Sequence, residues 1–280
     1  MDLNEVLREI FSLRTEEKEI QLDELSPKEI LELSVKDNVY GLLKILEYSD
    51  KIITISEIWA ESLKGGGRVV MVGAGTSGRL AVMEAAEMFP TFGIGRERIL
   101  AFIAGGKGAV FSSKEGAEDR YSAGKALVSR LKLSKKDILI GISASGRTPF
   151  VKGAIDRARE LGCKTVLIST NSEDRVKIRA DINLCVDVGV EILAGSTRMK
   201  SATVQKVILN TISLLGAVLL GKVKRGRMVD MVPLSGKLKA RAIRTLMEEF
   251  GISKEDAEET LESSNWNLKE AFKTLEEKCK

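Results

Sequence analysis

From residue 68 onward, short apolar runs alternate with amphipathic stretches, and that alternation leaves the chain few folds to choose from. The strand-like runs are 68–72, 99–103, 137–142, 165–169 and 182–188. Between and after them lie helix-like segments at 78–88, 115–131, 149–161 and 197–220. Strands separated by helices must run parallel, because a parallel neighbour is reached only through a crossover. The expectation is an α/β fold with a parallel sheet flanked by helices on both faces. In such sheets ligands bind in the loops beyond the carboxyl ends of the strands.

The flanks read differently. Residues 1–65 carry apolar positions at helical spacing, as in Ile30, Leu31, Leu33 and again Leu42, Leu43, Ile45, Leu46. The run Gly65-Gly66-Gly67 then separates this N-terminal helical segment from the central domain, 66–235. Residues 236–280 contain three helix-sized pieces with Ser253 and Asp256 placed to start the second. With 280 residues, 44% of them hydrophobic, the chain can bury one large core and lean a small bundle on it.

Charge and cysteine usage narrow the function. Acids and bases nearly cancel at +4, and no basic stripe is interleaved with aromatics, so a nucleic-acid partner is not expected. Cys163, Cys185 and Cys279 are odd in number and widely spaced, giving neither a disulfide framework nor a metal motif. The N-terminal stretch is acidic and amphipathic without a signal-peptide layout, so a cytoplasmic location is expected. The apolar run 207–220 is too short to span a bilayer, so it reads as a buried helix and no membrane partner is expected. There is no histidine, so acid–base work falls to Asp, Glu, Lys, Tyr or Cys.

Three loops after strand-like runs are rich in Gly, Ser and Thr: GAGTSGR (73–79), GISASGRT (141–148) and GSTRMK (195–200). Small residues admit a ligand to the backbone, hydroxyls can donate, and each loop leads into a helix whose N-terminus favours an anion. The first has the glycine spacing of a dinucleotide fingerprint, but the second strand ends in IAGG without the acid that would hold a ribose. No Gly-Lys-Ser/Thr follows, so a Walker loop is absent too. The hydroxyl-rich second loop fits a phosphorylated sugar better than a nucleotide. Candidate binding residues are Gly75, Thr76, Ser77, Arg79, Ser143, Ser145, Thr148, Ser196 and Lys200, with Arg147 and Arg198 as further anion partners.

The ordered motifs GAGTSGRL, PTFG, IAGG, EGAED, ASGRTP, GSTRMK with Gln205-Lys206, and MVD (228–230) resemble the N-acetylmuramic acid 6-phosphate etherases. That family belongs to the sugar isomerase (SIS) superfamily, together with the glucokinase regulatory protein, and the likeness covers residues 25–238. It implies a flavodoxin-like SIS fold, with the small C-terminal helices matching a ubiquitin-associated-like tail. It also implies a homodimer, a sugar 6-phosphate substrate, neither metal nor other cofactor, and a place in peptidoglycan recycling and amino-sugar catabolism. Position by position, Glu87 matches the family's proton donor and Glu118, in EGAED, its second catalytic carboxylate. Ser77, Ser143, Ser145 and Thr148 fall where SIS domains hold the phosphate.

The chain departs from the family at several points. Ala86 replaces Ser, Met88-Phe89 replaces Cys-Pro, and Ser143 replaces Ala. KRGR (224–227) replaces YGNL, and PLSGKL (233–238) replaces a stretch containing Thr-Asn-Glu.

Other readings of the same residues exist. Glu118 could merely favour a helix dipole, with Ser112 and Glu115 as a cap, and Glu84 with Glu87 could form one solvated stripe. A non-catalytic sugar-phosphate sensor is one rival, although it needs no acid–base pair; an aldose–ketose isomerase is another, although histidine is lacking. Glu87 also stands roughly 12–15 Å along its helix from the first loop. It must therefore serve a neighbouring subunit's site, or Pro90 must turn the chain back. An apolar setting of Met88, Phe89 and Phe92 is expected around it.

Overall fold

The computed structural model describes residues 21–230 and 236–278. Five parallel strands form one sheet: β1 (Val69–Gly73), β2 (Ile99–Ile103), β3 (Ile138–Ile142), β4 (Lys164–Ser169) and β5 (Ile182–Cys185). Their order is β2-β1-β3-β4-β5, with Val69 level with both Ile99 and Ile138. Strand order therefore reverses between β1 and β3, which opens a crevice at their carboxyl ends. The expected α/β sheet is present, and β1, β3 and β4 are buried almost throughout.

One face is covered by α1 (Pro27–Lys44), α2 (Ser49–Lys64), α3 (Gly75–Phe92) and the later helix 200–219. Trp59, Met71, Ala81, Ile140, Ile168 and Ile208 meet in the core on that side. After β2 comes a single turn, α4 (Gly108–Phe111), then α5 (Tyr121–Leu131) and, after β3, α6 (Pro149–Glu160). These last two pack on each other and on the opposite face, around Val70, Leu139, Phe150, Val151 and Leu167.

Two boundaries differ from expectation. The helix expected from residue 115 begins at Tyr121, because Gly116 adopts a left-handed φ of 69° that no helix start accommodates. Ser113 donates its hydroxyl to the Glu115 carboxylate at 3.0 Å, and no Ser112 cap forms. Pro90 lies inside α3, which continues to Phe92, so the chain does not turn back there.

The helix α7 (Lys200–Leu219) is long and apolar enough to cross a membrane by composition, but half of it is packed inside the fold. Ala202, Val204, Ile208, Leu209 and Ile212 are buried, while Val207, Leu214 and Val218 form an exposed stripe.

The KRGR departure has a local explanation. Strands β6 (Val223–Lys224) and β7 (Arg227–Met228) form a hairpin in which Arg225 and Gly226 both take positive φ, as a two-residue turn requires. Its basic residues reach the tail helices α8 (Gly236–Phe250), α9 (Lys254–Ser263) and α10 (Leu268–Lys278). Arg225 pairs with Glu249, Arg227 with Glu248 and Lys224 with Glu276. Val229 joins Leu246, Leu261 and Phe272 in a separate small core. As expected, Ser253 caps its helix by accepting from Asp256 N at 3.1 Å. Cys279 and the stretch 231–235 lie outside the described residues.

Candidate active site

The first and second glycine-rich loops both end up at the crevice between β1 and β3. Helix α3 starts directly after Ala74, and no side chain caps its first turn. The same holds for α6 after Thr148. The unclaimed backbone N–H groups of the α3 start make a positive, donor-rich floor beside the crevice, whereas in α6 Pro149 has no N–H and Phe150 N is already engaged. Ser145 is exposed there, and its Oγ accepts from Arg147 N at 3.3 Å. Ser143 is buried and bonded hydroxyl to hydroxyl with Thr148 at 2.8 Å. Arg147 is exposed and donates from Nε to the Arg175 carbonyl, which holds it on the loop's outer side.

A cleft with a cavity volume of about 130 Å³ opens beside the first loop. Gly75, Arg79, Lys114, Glu115 and Glu118 line it. Of the expected site residues, Gly75, Arg79 and Glu118 are thus brought together. The irregular turn before α5 carries Glu118, and its carbonyl accepts from Phe150 N at 2.9 Å, in the first turn of α6. That bond ties the backbone at Glu118 to the helix following the 143–148 loop, while its exposed side chain lines the cleft. Arg79 donates from Nε to the Val110 carbonyl at 2.9 Å, which pins it to the turn after β2.

Other expected residues are engaged elsewhere. Ser77 is buried, and its hydroxyl donates to Gln205 Oε1 at 2.8 Å, linking the first loop to α7. Its only hydrogen is spent inside the protein, so toward a ligand it can only accept. Thr76 is half-buried. The third loop does not offer its helix to a ligand, because the Glu191 carboxylate already accepts from Lys200 N at 3.0 Å and Ser201 N at 2.8 Å. Lys200 is fully buried, its ammonium 3.0 Å from Asp37 Oδ1 and 2.7 Å from the Val190 carbonyl. It is not available to a phosphate. Ser196 is half-buried and Arg198 exposed, and neither lines the cleft.

The two acids of α3 part company. Glu84 is buried, and its carboxylate accepts from Ser213 at 2.6 Å, Asn210 at 2.9 Å and Lys206 at 3.1 Å, all on α7. Glu87 is exposed and does not line the cleft. Met88 and Phe92 point into the core instead of surrounding it. The solvated-stripe reading therefore fails for Glu84, and the expected apolar setting for Glu87 is not formed by this chain.

Sequence reasoning missed Glu191 and Asp37, whose partners lie nine or more residues away. Gln205 was visible only as a neighbour of a motif. Among the described residues no group of His, Cys, Asp and Glu could hold a metal. Burial pushes the Cys163 thiol up to about 11, with the nearby Asp137 carboxylate adding to it, and burial raises Cys185 as well. Neither thiol is a proton donor or base suited to neutral pH.

Comparison with known proteins agrees with this geometry. The model of the glucokinase regulatory protein N-terminal SIS domain matches residues 51–159, and that of the SIS domain matches 118–213. The phosphoheptose isomerase of Neisseria gonorrhoeae superposes with a TM-score of 0.51 at 18% identity, covering 69% of this chain and 99% of that one. At that identity the likeness concerns the fold. The N-acetylmuramic acid 6-phosphate etherase of Listeria welshimeri is 44% identical over 93% of this chain and 89% of its own. That of Glaesserella parasuis is 41% identical over 97% and 89%. With near full-length identity of this order, on an SIS fold whose loops converge at the switch point, the chain belongs to the N-acetylmuramic acid 6-phosphate etherase family.

Proposed function

We propose that this protein cleaves the D-lactyl ether of N-acetylmuramic acid 6-phosphate, giving N-acetylglucosamine 6-phosphate and D-lactate. The relatives' name supplies the substrate. The observation that carries the chemistry is Glu118, a carboxylate on the wall of a cleft next to a hydroxyl loop and two uncapped helix starts.

An alkyl ether is a poor leaving group, so the bond is broken by elimination. Ring opening exposes an aldehyde at C1, which acidifies the C2 proton. Glu118 removes that proton, the C2=C3 double bond forms, and lactate departs from C3 with a proton from an acid. Water then adds its hydroxyl to C3, and C2 is reprotonated from solvent. The phosphate rests on Ser145 and Thr148 at the positive end of α6, where a charged ligand gains most from fixed donors and the helix dipole.

The acid is Glu87 of a neighbouring subunit. Its distance from its own loop and the unbroken run of α3 through Pro90 support that reading. So does the exposed apolar surface around it: Met83 lies one turn before Glu87, and Val207, Leu214 and Val218 line the adjoining α7. A second copy covering that surface makes a homodimer and supplies the apolar setting that keeps a carboxylic acid protonated. The reaction places the enzyme in the cytoplasmic recycling of cell-wall amino sugars.

Incubating the purified protein with N-acetylmuramic acid 6-phosphate and assaying D-lactate tests the proposal. Release of D-lactate is expected. Binding without release would favour a sensor, and aldose–ketose interconversion of a sugar phosphate would favour an isomerase.

A further inference from the structure

The substrate carries two anions, and the phosphate accounts for only one of them. We propose that Arg79 is the specificity residue that binds the carboxylate of the lactyl arm, an inference that rests on the etherase reading above.

Arg79 is half-buried and lines the same cleft as Glu118. Its Nε is committed to the Val110 carbonyl at 2.9 Å, and among the described residues neither Nη atom has a hydrogen-bond acceptor. A guanidinium fixed at Nε with its outer fork open suits a planar carboxylate, which it can meet with two parallel bonds. Lys114 also lines the cleft, but its ammonium is held by the Gly105 carbonyl at 3.0 Å and offers a point charge without a fork.

The separation of Arg79 from the hydroxyl loop favours the carboxylate over the phosphate. β3 lies on one side of β1 and β2 on the other. The hydroxyls of 143–148 follow β3, and Phe150 N ties Glu118 to that side. Arg79 is pinned to the turn after β2, on the far side. Arg79 and the hydroxyl loop thus lie on opposite sides of β1, and Arg79 shares its cleft with Glu118. On the substrate the lactyl arm leaves C3, the carbon bonded to C2, so it lies beside the hydrogen that Glu118 removes, while the phosphate hangs from C6, three carbons further on. With the phosphate on its loop and C2 at Glu118, Arg79 is the cation in the same cleft whose open fork can receive the lactyl carboxylate. A base and a cation flanking one ether also suit the reaction, because the cation holds the leaving group while the base works beside it.

The test uses the full chain carrying Glu118→Gln, so that substrate binds without turnover, and compares Arg79 with Arg79→Gln and Arg79→Lys by calorimetry. Two ligands are titrated: N-acetylmuramic acid 6-phosphate, and N-acetylglucosamine 6-phosphate, which lacks the lactyl arm. Arg79→Gln is expected to lose roughly 10- to 100-fold in affinity for the first and almost nothing for the second. Arg79→Lys, which keeps the charge and loses the fork, should fall between. A third ligand, the substrate with its lactyl carboxylate converted to an amide, should bind equally to all three proteins, as coupled partners do in a double-change cycle. Equal losses on the first two ligands would overturn the assignment and return Arg79 to the phosphate or to loop support. No loss on either would overturn it as well. Should the unsubstituted-Arg79 protein bind neither sugar phosphate, the etherase reading itself would fall, which is a different outcome. If Arg79→Gln does not fold, Arg79→Lys with the amide ligand decides the matter alone.

Discussion

Lys200 Nζ lies 3.0 Å from Asp37 Oδ1, with both side chains almost wholly out of solvent. The pair ties the start of α7 to α1, and Tyr40 adds its ring 5.8 Å from the ammonium. It joins the N-terminal helices to the third glycine-rich loop, so it holds the fold together away from the cleft.

Replacing Lys200 by Met should therefore act on stability. It leaves a buried carboxylate without its cation, which costs about 3–5 kcal/mol. Denaturant unfolding should show that loss, while KM of the folded fraction stays within about threefold of the parent value. Unchanged unfolding with a large rise in KM would restore Lys200 to the substrate site.

Glu84 and Glu87 should separate cleanly when each is replaced. Glu84→Ala removes the buried acceptor shared by Ser213, Asn210 and Lys206, at about 3 kcal/mol of stability. Glu87→Gln, at an exposed position, should change stability by about 0.5 kcal/mol or less and abolish lactate release. Paired unfolding curves and lactate assays on the two variants check this. Mixing Glu87→Gln with Glu118→Gln protein should regain activity if the acid acts across subunits, since a mixed dimer holds one intact pair.

Asp137 gives the fold an acid limit. Burial pushes its carboxyl up, but hydrogen bonds from the Arg68 guanidinium and from the Ser134 and Arg68 N–H groups outweigh it and hold the pKa below the usual value. A depressed folded value means stability that is present above the unfolded pKa of about 3.9 and lost as pH falls through the folded one. Asp137→Asn should be about 3 kcal/mol less stable than the parent at neutral pH, with the gap closing below about pH 4. A gap that stays constant with pH would contradict the assignment.

What could be read in the sequence was whatever depends on neighbours in the chain. The strands were legible because buried parallel strands are continuous apolar runs, and the switch-point loops because their glycines and hydroxyls are contiguous. Glu118 was found through its motif, but its setting was misjudged: one left-handed residue, Gly116, moved the helix start past it. Glu84 looked like half of a solvated stripe because nothing local reveals donors more than a hundred residues away on α7. Lys200 looked like an anion ligand for the same reason, since its carboxylate partner sits 163 positions earlier. Burial of charge is a property of packing, and the chain's own pattern does not display it.

The central claim is elimination initiated by Glu118, and isotope labelling in heavy-oxygen water and in deuterium oxide tests it most directly. The account predicts D-lactate free of solvent oxygen, labelled oxygen at C3 of N-acetylglucosamine 6-phosphate, and deuterium at C2. Glu118→Gln should abolish the C2 exchange, whereas Glu87→Gln should retain some of it, because proton removal can precede departure of the leaving group. Solvent oxygen in the lactate hydroxyl, with none at C3, would mean attack on the lactyl carbon and would contradict the account.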